Sequence, residues 1–331
     1  FRLATLDLFQ VNGGRAIRNW VSPAGAGDAD SALEPLDDLA EAGGWKQAMP
    51  AAILDVVTFE GKVYAVPVNV HRINCLFYNK HVFDDLGLEP PRNMTEFLEV
   101  APVIQAADIT PLSVGLNGHW VLGTMIWENL IPSIAGPQYY TDYLTGKKDP
   151  KDEVMRDALT QISPMFDFID PDARTITWDK AVRRVAEGKA AMTFMGDWAK
   201  GEFVAANQVP NVDFGVVNWG EKTFVLTTDT FVVPKGATNR ANARSLIEIM
   251  GAVDGQDAFN PLKGSIPTRT DIDASKYDAI SRDAIQELAN PETVLLKAVA
   301  LLAPSEFSDP MNAAFSTFVD ERKVEPLLQT M

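Results

Sequence analysis

The chain has 331 residues, 46% of them hydrophobic and 22% charged, which suits about two domains with sizeable cores. Its 45 carboxylates against 29 Lys and Arg give a net charge of −16. That balance repels nucleic acid unless the cations are segregated, and the basic pairs Lys147-Lys148 and Arg183-Arg184 stand isolated. No run reaches the ~18 apolar residues of a membrane helix, so no direct membrane insertion is expected.

The first residues, "FRLATLDLFQVNGG", lack a basic start, an apolar block and a small-residue cleavage site, so no leader is expected there. Leu6, Leu8 and Val11 form a strand-like run that ends at the turn Asn12-Gly13-Gly14. Residues 63–70, "VYAVPVNV", predict a strand with Pro67 at an edge or bulge. "CLFYN" at 75–79 predicts another and holds the only cysteine, Cys75, as a small core hydrophobe. Asn93 begins "NMTEFLEVAPVIQAAD", a helix with Glu96 three residues on. The capping box explains Asn93 better than a glycosylation sequon does.

Residues 118–136 are apolar nearly all round and predict a buried helix. Amphipathic helices follow at 152–169 and 178–187, a buried strand at 189–195, and a helix from Asp197. Strands are expected at 214–219 and 223–235. Helices are expected at about 239–259, 274–289, 291–302 and 310–330. This alternation predicts an α/β fold with helices on the faces of sheets and ligand sites at the carboxyl ends of strands.

The three histidines, His71, His81 and His119, show no ligand spacing, so no metal site is expected. No phosphate-binding glycine loop and no nucleophile elbow is present, so neither a nucleotide cofactor nor a catalytic serine is expected. Asp197, Glu202, Asp229 and Glu128 could supply a glycosidase pair, but nothing in the sequence fixes a separation between any two. Binding is the better reading. An indole matches the C–H face of a pyranose, and planar Asp, Asn and Gln groups match its neighbouring hydroxyls.

"GDW" at 196–198 offers both parts at a strand-to-helix junction. Gly196 is expected to let backbone and ligand approach, while Asp197 could instead be a helix cap and Trp198 a core residue. His71 and Asn74 in "HRIN" follow a strand, Asp229 interrupts an apolar one, and Lys263-Gly264-Ser265 lies in a loop after a helix.

The order "FQVNGG", "GKVYAVPVNVHRIN…YNK", "PRNMTEFLEVA", "ITPLSVG", "EGKAAMTFMGDWAKGEF", "DTFVVPKGA" and "FNPLKGSIPTR" resembles bacterial extracellular solute-binding proteins of ABC importers. The likeness runs to about residue 270 and is nearest the sugar-binding subgroup that includes glucose/mannose-binding proteins. The resemblance implies a two-lobed, type II-like clamshell with a doubly wound sheet in each lobe. Residues 1–70 and 232–302 would form one lobe, and 74–228 and 306–331 the other, with crossings near 70–74, 228–232 and 302–306.

It also implies a non-enzymatic, monomeric periplasmic carrier that needs no cofactor, closes on a sugar or polyol and delivers it to a membrane permease. Trp198 would stack on the sugar, and Trp120 would be a second aromatic. Gln10 and Asn12 would line the first lobe, and Asp197, His71, Asn74, Asp229 and Lys263 would be polar contacts. There are two departures. The family's first strand–helix unit has no counterpart before "DLFQ". Ser308 stands where the subgroup commonly places a histidine, with Glu306 and Phe307 beside it; this weighs against glucose and leaves another sugar, a polyol or an amino sugar. A carbohydrate-processing enzyme and a ligandless interaction module are the rival readings.

Overall fold

The structure, a computed structural model, describes residues 6–22, 31–118, 120–149, 151–303 and 305–331, without the side chains at 305, 306 and 308. His119, Glu306 and Ser308 therefore lie outside the described side chains. In chain order the strands are β1 (Phe9–Asn12), β2 (Thr58–Phe59), β3 (Lys62–Val63), β4 (Val66–Pro67), β5 (His71–Arg72), β6 (Cys75–Asn79), β7 (Thr110–Leu112), β8 (Ala190–Phe194), β9 (Phe214–Asn218), β10 (Thr223–Thr227), β11 (Asp229–Val232) and β12 (Val294–Lys297).

The chain divides into two units. Unit 1 holds Phe1–His71, Leu226–Ala289 and Ala300–Pro304. Unit 2 holds Arg72–Val225, Asn290–Val299 and Ser305–Met331. In unit 1, β11 lies between β1 and β4 and is antiparallel to both, with Asn12 opposite Asp229 and Thr230 opposite Pro67. That register places the end of "FQVN" beside the start of "DTFV", 217 positions later. Ile17, Val21, Leu36, Trp45, Ile53, Val66, Val232 and Ile247 are buried in its core. Gly14 has φ of 70° and opens helix Arg15–Val21. A Cβ there would sit 2.1 Å from the Leu301 carbonyl oxygen, so only glycine fits this turn.

Unit 2 is built on the sheet β7-β8-β6-β9, in which β8 is parallel to β7 and β6 is antiparallel to both its neighbours. All five residues of β8 are buried, as its unbroken apolar run requires of a central strand. Phe203 stacks against both Phe77 and Phe214, with centroids 5.6 and 4.3 Å away. Asn79 caps helix Lys80–Leu86. Asn93 caps Met94–Ala106 by accepting the Glu96 N–H at 3.0 Å, so the cap reading of that sequon holds.

Other expectations are corrected. The strand expected at 63–70 is two short pieces, β3 and β4, and the one expected at 223–235 breaks between β10 and β11. The second break lies at Thr228, whose hydroxyl donates to the Asn69 carbonyl at 2.7 Å. The helix expected at 118–136 is α-helical at Trp120–Gly123 and Ile131–Ile134 but π-helical at Thr124–Leu130. The helix expected at 239–259 is two, Arg240–Gly251 and Val253–Lys263, separated by extended Ala252. The C-terminal helix likewise divides into Ser305–Glu321 and Val324–Thr330 around Arg322 at φ 58°.

The segment 291–302 is not one helix. It contains β12, paired to β10, and the short helix Val299–Leu302. Residues 290–299 also cluster with unit 2 rather than with 232–289. Tyr140 O–H donates to the Lys297 carbonyl at 3.0 Å, and Val299 N–H donates to Glu128 Oε1 at 2.9 Å.

Candidate functional site

Each unit carries its own cluster of candidate groups. In unit 1, three side chains converge around Asp229, whose side chain is 18% exposed. Gln10, exposed on β1, donates from Nε2 to Asp229 Oδ1 at 2.9 Å. Asn69 donates from Nδ2 to Asp229 Oδ2 at 2.8 Å, and its Oδ1 accepts the Asp229 N–H at 2.8 Å. The buried His71 brings Nε2 within 3.0 Å of Asn69 Nδ2 and 3.4 Å of Asp229 Oδ2. Burial alone would raise the Asp229 carboxyl. Hydrogen bonding and charge from His71, the Asn69 amide and the charge of Lys263 outweigh it and hold the group at about 2.

Asn12, exposed at the end of β1, sits opposite Asp229 in the register. Lys263 is exposed at the end of its helix, before Gly264 at φ 87°. The loop after it, "GSIPT", is fixed by a buried polar lattice. Ser265 donates to Asn260 Oδ1 at 2.6 Å, Gln256 bonds Thr268 at 2.8 Å, and Val70 and Ile266 exchange backbone bonds at 2.7 and 3.0 Å.

In unit 2, the end of β8 delivers Gly196-Asp197-Trp198. Trp198 is half-buried, and Trp120 is 42% exposed. Their ring centroids lie 6.1 Å apart with planes tilted by 59°. Gly196 has a different role from the one expected. A Cβ on it would lie 2.1 Å from Trp198 Cζ3, so the glycine makes room for the indole of its own neighbour. Asp197 is buried and does not cap the helix Ala199–Ala205 with its side chain. It clamps residue 72 instead: Arg72 N–H donates to Asp197 Oδ2, and Asp197 N–H donates to the Arg72 carbonyl, both at 2.9 Å.

Asn74 is a staple. Its Nδ2 donates to the carbonyls of Trp219 and Thr223 at 2.6 and 2.8 Å, and its Oδ1 accepts the Val225 N–H at 2.9 Å. With the whole amide held by backbone, it fixes the chain before β10 and offers a solute little. The sequence reading missed Asn69. The signal was present in "VPVNV": an amide in an apolar run must find partners when buried.

The carboxylates do not have the character of a glycosidase pair. A general acid must hold a proton near neutrality, and Asp229 is held far below that. Burial does raise Glu128 to about 7, against the pull of the Val299 N–H and the Thr124 hydroxyl, but Glu128 is only 5% exposed and lies within the π-helical stretch. Among the described residues no group of three or more His, Cys, Asp or Glu could hold a metal ion, and no helix is long and apolar enough to cross a membrane.

Residues 4–257 match the profile of the bacterial extracellular solute-binding protein family. The chain belongs to that family. An ABC transporter extracellular-binding protein of Pyrococcus horikoshii is 32% identical over 326 residues, which are 96% of this chain and 71% of that protein. A probable sugar-binding periplasmic protein of Mesorhizobium japonicum is 31% identical over 265 residues, 78% of this chain and 63% of its own, so the chain spans just under two thirds of that relative. Among solved structures, the bacterial solute receptor AcbH, described as having an exclusive preference for β-D-galactopyranose, superposes with a TM-score of 0.84 at 20% identity. The match covers 98% of this chain and 82% of that one. The fold is thus that of known solute receptors. The family is one of binding proteins, and nothing in the likeness supports the glycosidase alternative.

Proposed function

We propose that this solute-binding protein captures a neutral sugar or sugar-like polyol outside the cytoplasm, in the periplasm where there is one, and hands it as a monomer to the permease of an ABC importer. Hydroxyls of the solute are taken by Asp229, with Gln10, Asn12 and Lys263 beside it. An apolar sugar face is taken by Trp198, with Trp120 as second aromatic. The observations that carry the reading are, within unit 1, an ionised, pre-bonded carboxylate and, within unit 2, two tilted indoles, one of them 42% exposed. That combination suits a ligand rich in donors with a C–H face. The names of the relatives point the same way. The resemblance adds that the two units close on the solute, which shifts their population toward the closed state.

Titration with a panel of monosaccharides, disaccharides and polyols, followed by tryptophan fluorescence and calorimetry, tests this. Saturable one-to-one binding of at least one member is expected, with no release of chromophore from chromogenic glycosides. Turnover without stoichiometric binding would overturn the carrier reading.

A further inference from the structure

The chain passes between its two units five times, and the border residues of unit 2 are Arg72, Val225, Asn290, Val299 and Ser305. At three of them one device recurs: the backbone N–H of the border residue is held by a side-chain oxygen from elsewhere in unit 2. Arg72 N–H donates to Asp197 Oδ2, Val225 N–H to Asn74 Oδ1 and Val299 N–H to Glu128 Oε1, each at 2.9 Å. All three acceptor side chains are buried. Of the other two border residues, Asn290 is exposed and Ser305 opens the helix Ser305–Glu321.

Two of the clamped residues are held at both N–H and C=O. The Arg72 carbonyl accepts the Asp197 N–H at 2.9 Å, and the Val225 carbonyl accepts the Ile73 N–H at 2.8 Å. These two ends are also tied together, because the Thr223 carbonyl accepts from Arg72 Nη2 and from Asn74 Nδ2, each at 2.8 Å. The Asn74 amide fits only one way round: the Val225 N–H needs an oxygen, and the carbonyls of Trp219 and Thr223 need a donor. Near the third end, Tyr140 O–H holds the Lys297 carbonyl at 3.0 Å, two residues before Val299. A backbone gripped in this way has little freedom to turn, and a hinge needs residues that can absorb a change in φ and ψ.

We propose that Asp197, Asn74 and Glu128 are positioning residues that carry the rigid body of unit 2 out to Arg72, Val225 and Val299, so that backbone rotation during solute capture falls beyond them, at His71, Leu226 and Ala300. Asp197 thereby has a role that needs no solute hydroxyl, and it anchors the residue next to Trp198. The part about capture rests on the function proposed above; the clamps do not.

Amide hydrogen exchange of the sugar-free protein, read by NMR, tests the clamps. In wild type the Arg72, Val225 and Val299 amides are expected to exchange within about tenfold of the rates in the buried central strand β8. D197A, N74A and E128A are each expected to speed exchange at their own border amide by about tenfold or more while leaving β8 unchanged. D197N and E128Q keep an oxygen for the border N–H and are expected to restore the wild-type rate there. Fast exchange at the three amides in wild type, or acceleration spread evenly over unit 2 in the alanine variants, would overturn the inference even if sugar binds. Residual dipolar couplings test the hinge. The three border amides are expected to fit the alignment tensor of unit 2, and unit 1 to need a different one. A single tensor for both units would remove the hinge role and leave the clamps standing, whatever the sugar titrations show. Should an alanine variant not fold, the wild-type exchange rates and couplings decide.

Discussion

Trp198 packs its ring over Gly196 and remains half-buried, so part of the indole still has area to lose to a ligand. Trp198→Ala is expected to weaken sugar binding by about 1–3 kcal/mol through lost stacking area, read by calorimetry. Gly196→Ala should do nearly the same without touching the ring, because the new Cβ must push it aside; unchanged affinity in both variants would make Trp198 a packing residue. Asp229 combines binding with stability. Its carboxyl sits at about 2 against an ordinary 3.8. The stabilisation is present above 3.8 and is lost as pH falls toward 2, amounting to roughly 2 kcal/mol. Asp229→Asn is therefore expected to weaken binding, to lower stability at pH 6 by up to about 2 kcal/mol in urea titrations, and to flatten the acid limb. Equal acid limbs in variant and wild type would refute the assignment.

At the level of elements, much of the fold was legible because its signals are local. β6 and β8 announce themselves as short, wholly apolar runs, and Asn79, Asn93 and Asp152 cap helices as their side chains dictate. Some failures come from long-range pairing. "PETVLLKAVALL" has neither helical nor strand periodicity, and its fate is decided by pairing with β10, which local sequence does not encode. Asn69 and Asp229 lie 160 positions apart, so their mutual grip appears only in the fold.

The π-helical stretch Thr124–Leu130 was likewise unreadable, yet it holds the buried Glu128 against Val299. Burial raises this carboxyl from 4.5 to about 7. Between those values the folded chain keeps a proton that the unfolded chain has lost, so stability falls as pH rises through the window, by roughly 3 kcal/mol. Glu128→Gln preserves an acceptor for the Val299 N–H and removes the ionisation. The stability difference between Glu128→Gln and wild type is expected to grow in the variant's favour from pH 4.5 to 8; a pH-independent difference would show that Glu128 does not titrate there.

For the whole molecule the dominant electrostatic fact is the net charge of −16. Self-repulsion of that size opposes the compact state, and salt relieves it because the screening length is only about 10 Å at 0.1 M. The thermal midpoint is expected to rise by a few degrees between 10 and 150 mM NaCl. The same titration discriminates among ligands. A neutral sugar feels no net field, so its Kd should stay within about twofold over that range. A cationic amino sugar, drawn by the global charge and by ionised Asp229, should bind roughly tenfold more weakly at the higher salt, and a sugar acid should bind more tightly as repulsion is screened. A salt-independent Kd together with a salt-dependent midpoint therefore separates the chain's own charge from the ligand's. A Kd that follows the salt would replace the neutral sugar of the proposed function with a charged one.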